Sequence, residues 1–120
     1  MNNYTYYNAN PNKFDIEDCA IRSISTIEGI SWDKAYKILS NHARRQGLMI
    51  SSVEAVESYL DSKYPRECYN NTSVGEFAKD HPYGKYLVTM KGHITAIKHG
   101  KIIDTFDCSK REMWCAWEVW

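Results

Sequence analysis

The chain has 120 residues, of which 43% are apolar, and this is the size of a single domain with one hydrophobic core. It carries 15 basic and 15 acidic residues, so the formal net charge is zero. The excess of positive charge that binding to a phosphate backbone requires is missing, and we expect no nucleic-acid partner.

The first residues, MNNYTYYNAN, lack the basic start and apolar core of a secretion signal. No apolar run approaches the roughly 18 residues that a membrane span needs, so we expect a soluble, cytoplasmic protein without a membrane partner. A cytoplasmic chain without a C-x-x-C pair is expected to keep its thiols reduced, which here are those of Cys19, Cys68, Cys108 and Cys115.

The chain divides into an N-terminal arm, residues 1–13, and one domain, residues 14–120. The arm is rich in Asn and Tyr and has no clear hydrophobic period. Two alternatives stay open for it: a flexible arm, or a strand that joins the fold late. The sequence contains no internal repeat and no linker.

Four helices are predicted in the first two thirds of the chain. Apolar residues at helical spacing over residues 15–28, followed by Gly29, predict helix one with Cys19 near its start. Ser31 caps a second helix that ends before Gly47. Two capping boxes, Ser51 with Glu54 and Ser73 with Glu76, predict a third helix and a short fourth that closes near residues 81–82.

After Gly84 the apolar period changes to two. The segments KYLVTM, HITAIK, KIIDTFD and EMWCAWEVW are rich in β-branched and aromatic residues and predict four strands. Helices first and an antiparallel sheet second indicate an α+β domain, with N-terminal helices followed by a four-stranded antiparallel sheet. Trp114, Trp117 and Trp120 recur every three residues, so one strand cannot place all three on the same face.

Cys19 and His93 are the candidate reactive pair. A thiol at a helix N-terminus is ionised more easily because of the helix dipole, and a neighbouring imidazolium adds to that effect. His93 follows Gly92 at the start of a predicted strand and would supply the imidazole if that strand end lies against helix one. A third residue must then orient the imidazole from the same face of the sheet.

The register of one hairpin decides which aspartate is the third residue. A two-residue loop at His99 and Gly100 puts Asp104 on the face of His93, with Phe106 opposite His93. A three-residue loop that starts at Lys98 puts Asp107 there instead. The three-residue loop needs a left-handed residue only at Gly100, whereas the two-residue loop needs one at His99 as well, which favours Asp107.

These residues resemble the papain-like cysteine peptidase superfamily in its small versions. EDCAIRSIST resembles the Asp-Cys helix start of bacteriocin-processing peptidases, and GHITAIKHGKIIDTFDCS resembles the His-hairpin-Asn segment of Josephin-type deubiquitinases. The chain also resembles small papain-fold proteins of bacteriophages and prophages, which share the Asp-Cys helix and a segment like DTFDCS, residues 104–109 here. The resemblance covers about residues 14–120 and implies a papain-like fold, a catalytic triad of Cys19, His93 and Asp107, and hydrolysis of an amide, peptide or isopeptide bond.

The family's oxyanion-hole glutamine has no counterpart here. No Gln precedes Cys19, and Asn12 or the backbone amide of Cys19 are the candidates for its role. Glu17 and Asp18 place negative charge beside the thiol, which raises its pKa unless the two carboxylates point away.

A second function is therefore open: an inactive papain-fold module, like those of phages, that holds a host protein or a small ligand. In either reading the partner is a protein, a peptide or a small molecule, and no cofactor is expected. The C-x6-C spacing of Cys108 and Cys115 does not match a zinc knuckle, so no metal site is predicted with His93 or His99. The oligomeric state is left open.

Overall fold

A computed structural model of the chain describes residues 3–13 and 18–120. The described part is an α+β fold, as predicted, in which helices pack on a six-stranded mixed sheet. The helices are α1 (Cys19–Glu28), α2 (Trp32–Gln46), α3 (Val53–Asp61) and α4 (Val74–Asp80). The strands are β1 (Tyr4–Tyr6), β2 (Arg66–Cys68), β3 (Lys85–Met90), β4 (His93–Lys98), β5 (Lys101–Asp104) and β6 (Met113–Val119).

The helix caps largely follow the sequence signals. The Ser31 side chain caps α2, and Ser73 with Glu76 forms the predicted capping box of α4. The cap of α3 is Ser52, whose hydroxyl accepts the Ala55 N–H, so the predicted cap was one residue early. The predicted start of helix one at residue 15 lies outside the described residues, within which α1 begins at Cys19.

The prediction of a four-stranded antiparallel sheet was wrong in two places. The strand order is β1-β5-β4-β3-β6-β2, in which β1 pairs with β5 in parallel and β2 pairs with β6 in antiparallel. The central four strands are the predicted ones, with β5 ending earlier, at Asp104. Both additional strands have three residues, too few for a period-two pattern to be read. Part of the N-terminal arm is thus a strand at the edge of the sheet.

Apolar side chains form two clusters, one on each face of the sheet. The first cluster joins α1, α2 and α3 to strand residues such as Leu87 and Trp117. The second joins α4 to the next residue along β3, Val88, and to Ile97 and Ile102. Because successive strand residues point to opposite faces, the clusters sandwich the sheet between three helices and one.

Two cysteines form a disulfide, so the prediction that all four are reduced was wrong. Cys68 lies opposite Cys115 in the β2 and β6 register, and their sulfurs are bonded. The pairing could not be anticipated because β2 itself was not predicted. The three tryptophans do not share a face, as expected: Trp117 is fully buried, whereas Trp114 and Trp120 are exposed. None of the helices in the described residues is both long and apolar enough to cross a membrane.

Candidate active site

Cys19 is the first residue of α1, directly after Asp18, and its side chain is half-buried. The free N–H groups of a helix start carry partial positive charge, which favours a thiolate at this position. The sulfur is within hydrogen-bond reach of the His93 side chain and of the backbone of Ile94. Ser23, one turn further along α1, donates its hydroxyl to the Ile94 carbonyl oxygen at 3.2 Å and fastens the helix to β4.

His93 begins β4 and is held from the side opposite the thiol. Its Nε2 lies 2.7 Å from Oδ2 of Asp104, and 7% of its side chain is exposed. Since Nε2 is engaged by the carboxylate, Nδ1 is the ring nitrogen that remains available to Cys19. The ring of Phe106 packs against the imidazole with 4.8 Å between centroids. The three functional groups therefore follow one another in the order thiol, imidazole and carboxylate, with a hydrogen bond between His93 and Asp104 and an electrostatic interaction between Cys19 and His93.

Asp104 is buried, and every one of its oxygen atoms has a partner. Oδ2 also accepts the Thr95 hydroxyl at 2.5 Å, and Oδ1 accepts the Thr105 N–H at 2.7 Å. The Arg22 guanidinium, on α1, stands 3.9 Å from Oδ1. A carboxylate fixed on both oxygens keeps the imidazole in one orientation.

The expectation that Asp107 orients His93 was wrong. The hairpin has the two-residue loop: Lys98 pairs with Lys101, and His99 and Gly100 have φ values of 52° and 76°. Asp107 lies beyond the end of β5, where its Oδ1 accepts the Ser109 N–H at 3.0 Å.

Core packing explains why this register forms. It pairs Ile97 with Ile102, and both are fully buried in the cluster on the α4 face. A one-residue slip would pair Ile97 with Lys101 and turn Ile102 to the other face. The cost of a left-handed histidine is small, since His adopts this conformation more readily than most residues.

The electrostatics of the three groups favour an ion pair. Burial acts to raise the pKa of Cys19, but hydrogen bonds to His93 and to the Ile94 backbone, with the charges of His93 and Arg22, hold that pKa below its ordinary value. Burial acts to lower the pKa of His93, yet the bonds to Asp104 and Cys19 raise it to about 9. Burial opposes ionisation of Asp104 as well, and the bonds from His93 and Thr95 lower its pKa overall.

Asp18 does not weaken the thiolate as the sequence suggested. Its carboxylate makes no capping hydrogen bond to the start of α1. It forms an ion pair with Arg22 and accepts the side-chain N–H groups of Asn10 and Trp32, each at 3.0 Å. Its negative charge is thus compensated locally. Glu17, the other acid in question, lies outside the described residues.

No protein-family model, no curated protein and no solved structure matches this chain. The assignment of a function therefore depends on the geometry and chemistry of the site.

The thiol opens onto a cleft of about 620 Å³. Its walls come from the starts of α1 and α3, from α2, from the turn between β3 and β4, and from β6. Most of the lining is apolar and includes Trp32, Tyr36, Ile50, Val53, Met90 and Trp114. A substrate in this cleft would lie directly against Cys19 and His93, which both belong to its wall.

Both candidates for the oxyanion-hole donor border the cleft. Asn12 is exposed and lines it, whereas the Asn10 amide already donates to Asp18. The backbone N–H of Cys19 is one of the first four of a helix, which have no partner within the helix. A side-chain amide and a backbone N–H are the usual donors of an oxyanion hole, and the wall of the cleft contains one of each kind at Asn12 and Cys19.

Cys108 lies beside the triad without belonging to it. Its sulfur and the ligand atoms of His93 and Asp104 are within 4.8 Å of one another. Burial, followed by the charge of Asp104, raises the pKa of the Cys108 thiol to about 11, so it keeps its proton at neutral pH. A metal ligand must lose that proton. Cys115, considered in the sequence as a ligand together with Cys108, is bonded to Cys68 through its sulfur.

Two residues that support the site were missed in the sequence. Thr95 is a buried residue in the middle of β4 and carries no signal beyond its polarity within an apolar strand. Arg22 follows Asp18 by four residues, the spacing of an ion pair along a helix. An arginine at that spacing on the face that bears Ile21 and Ser25 was the available clue.

Replacing Cys19 with Ala should make stability depend more strongly on pH than it does in the native chain. Above pH 6.5 the folded imidazole keeps a proton that the unfolded one loses, whereas the folded thiol gives up its proton at a lower pH than the unfolded thiol does. These two differences in bound protons oppose each other in the native chain. In Cys19→Ala only the imidazole difference remains, because Asp104 still raises the pKa of His93.

The sign follows from the number of protons bound. The folded variant holds more protons than its unfolded state above pH 6.5, so its stability is complete below that value and falls as the pH rises toward the folded pKa. Urea unfolding at pH 6, 7 and 8 should show that the free energy of unfolding falls between pH 6 and pH 8 by about 1 to 2 kcal/mol more in Cys19→Ala than in the native chain. Parallel pH profiles for the two proteins would contradict the ion pair.

Proposed function

We propose that this protein is a cysteine hydrolase that cleaves an amide, peptide or isopeptide bond through Cys19, His93 and Asp104. The observation that carries the proposal is the position of Cys19 and His93 together at the wall of a cleft, with the imidazole hydrogen-bonded on its other side to the buried carboxylate of Asp104. This is the arrangement by which a nucleophile, its base and an orienting group perform acyl transfer.

The reaction proceeds in two halves. The Cys19 thiolate attacks the carbonyl carbon, and the His93 imidazolium donates its proton to the departing amine as the C–N bond breaks. The resulting thioester is attacked by water, whose proton passes to His93, and the acid is released with the thiol restored. Asp104 stays ionised throughout and holds the imidazole. An amine in place of water would make the second half a transamidation.

The resemblance to papain-like peptidases supports the same proposal. Cysteine at the start of an N-terminal helix, histidine at the start of a strand and an acidic residue on the next strand reproduce that superfamily's order along the chain. We propose the papain-like fold on this basis, with Asp104 in the third catalytic position.

The test is the rate of alkylation of Cys19 by iodoacetamide between pH 4 and 10, followed by mass spectrometry. We expect native Cys19 to react with an apparent pKa below the usual value of about 8.5. In His93→Ala the apparent pKa should return to the ordinary range. At pH 6.5 the rate should then fall by up to about 100-fold, because an ordinary thiol is about 1% ionised there.

His99→Asn is the matched control, since His99 lies at the hairpin tip and Asn tolerates the same left-handed backbone. This variant should keep the native pH profile. Circular dichroism verifies that each variant is folded. An ordinary thiol titration in the native chain, or reaction only after unfolding, would refute the proposed function.

One observation favours a binding module instead, namely the missing glutamine before Cys19. Such a module would use the cleft to hold a protein or small molecule without turning it over. Acylation by activated esters distinguishes the alternatives, because forming the thioester requires an oxyanion hole. A Cys19 that reacts with iodoacetamide but never forms a thioester with an activated ester would favour binding over catalysis.

A further inference from the structure

We infer that the acyl group delivered to Cys19 is a large, uncharged hydrocarbon, such as a medium-chain alkanoyl or an arylalkanoyl group. The inference rests on the proposed function and specifies its substrate as an N-acyl amide of that kind. Three properties of the cleft lead to it: the size and polarity of its wall, the charges around it, and the state of its polar side chains.

The exposed part of the wall is largely apolar. Tyr36, Val53 and Trp114 line it and are 42%, 44% and 45% exposed. The Trp32 ring packs at a tilt against Tyr36, with 5.4 Å between ring centroids, and lines the same cleft. A volume of about 620 Å³ lies in the range of sites that enclose a small ligand. A hydrocarbon that covered these side chains would remove apolar surface from water on both sides.

The charges around the cleft select against a charged acyl group. Among the described lining residues there is no Lys or Arg that could pair with a carboxylate. The one carboxylate in the wall, Asp18, is already paired with Arg22 and bonded to Asn10 and Trp32. The one cation in the described wall, the His93 imidazolium, is paired with Asp104 and Cys19. A further charge of either sign would lose hydration in the cleft without gaining an unpaired counter-charge, which is costly.

The polar side chains of the wall are largely engaged within the protein. The Ser52 hydroxyl accepts from Ala55 and donates to the Met49 carbonyl oxygen at 2.7 Å. The Thr89 hydroxyl bonds with the backbone of Cys115, at 3.3 Å to both its nitrogen and its oxygen. An extended peptide would bring an N–H and a C=O with each residue and leave several unpaired, whereas a hydrocarbon brings none.

The experiment measures acylation of the native chain by 4-nitrophenyl esters of acetic, butanoic, hexanoic and octanoic acids. The Cys19 thiolate attacks the ester carbonyl, the C–O bond breaks, 4-nitrophenolate leaves, and a thioester remains that mass spectrometry locates. We expect the second-order rate to rise about fourfold per methylene, after division by the rate with N-acetylcysteine. The 4-nitrophenyl monoester of succinic acid should react no faster than the acetate.

Two variants that introduce the same residue test whether the effect belongs to this cleft. Val53→Glu places a carboxylate in the wall at the first position of α3, where an acid suits the helix dipole. Met49→Glu places the same group on a side chain that is 73% exposed and is not part of the wall. The ratio of octanoyl to acetyl rates should fall at least tenfold in Val53→Glu and stay unchanged in Met49→Glu.

Each possible outcome supports or overturns the inference. Rates that are independent of chain length, with Cys19 still acylated, would overturn the hydrocarbon specificity and leave the proposed function standing. A faster reaction with the 4-nitrophenyl ester of N-acetyl-glycyl-glycine than with the octanoate would overturn it in favour of a peptide. Absence of any thioester at Cys19 would overturn the proposed function and this inference together.

Discussion

Replacing Asp104 with Asn should reduce the reactivity of Cys19 at pH 6.5 by up to about 100-fold and reduce any turnover by a larger factor, up to about 10⁴ by analogy with other triads. Asn keeps the size of the side chain but removes the negative charge that raises the pKa of His93 to about 9. Without it the imidazole loses its proton near neutral pH, and the thiolate loses its counter-charge. The change therefore acts on Cys19 through His93.

The matched variant is Asp107→Asn, which makes the same substitution three residues away. Asn in position 107 still accepts the Ser109 N–H, so its alkylation profile should stay within twofold of the native one. The comparison separates the two registers directly, since a three-residue loop would reverse the outcome. The His93 titration, followed by NMR, should fall from about 9 toward 6.5 in Asp104→Asn only. Equal effects of the two variants would contradict the role of Asp104.

Local signals in the sequence were sufficient for most of the secondary structure. The caps at Ser31 and Ser73 and the positions of the four central strands have local sequence signals and match the prediction, except that β5 ends three residues earlier than predicted. The strands β1 and β2 are different, because they exist only by pairing with partners about 100 and 50 residues later in the chain. Three residues without hydrophobic alternation carry too little information to reveal such pairing.

The residues of the candidate site also divide into those with a local sequence signal and those that depend on contacts between distant parts of the chain. Cys19 and His93 were identified because each begins a regular element, and element starts leave a mark in the sequence. The third residue depended on turn preference, a weak local term that the burial of Ile97 and Ile102 outweighs. The packing of these two isoleucines requires the register that places Asp104 beside His93. The ion pair between Arg22 and Asp104 joins different elements and had no local signal at all.

Replacing Arg22 with Met should lower the free energy of unfolding by about 3 to 5 kcal/mol, because it leaves buried carboxylates without their counter-charge. Arg22 forms an ion pair with Asp18 and lies 3.9 Å from Asp104, and all three side chains are at most 7% exposed. Its charge also lowers the pKa of Cys19, so the variant should react more slowly with iodoacetamide at pH 6.5. Denaturant unfolding at pH 7 measures the first effect.

A solvent-exposed ion pair in α2 has the same i, i+4 spacing and serves as the control. Lys37 lies 3.2 Å from Asp33, with both side chains 72% exposed, so Lys37→Met should cost about 0 to 0.5 kcal/mol. Adding Asp18→Asn to Arg22→Met removes one uncompensated charge and should restore part of the loss. If Arg22→Met costs no more than Lys37→Met, the buried ion pairs do not hold α1 against the sheet. The position of Cys19 beside His93 would then depend on apolar packing and on the Ser23 bond alone, which Ser23→Ala would test.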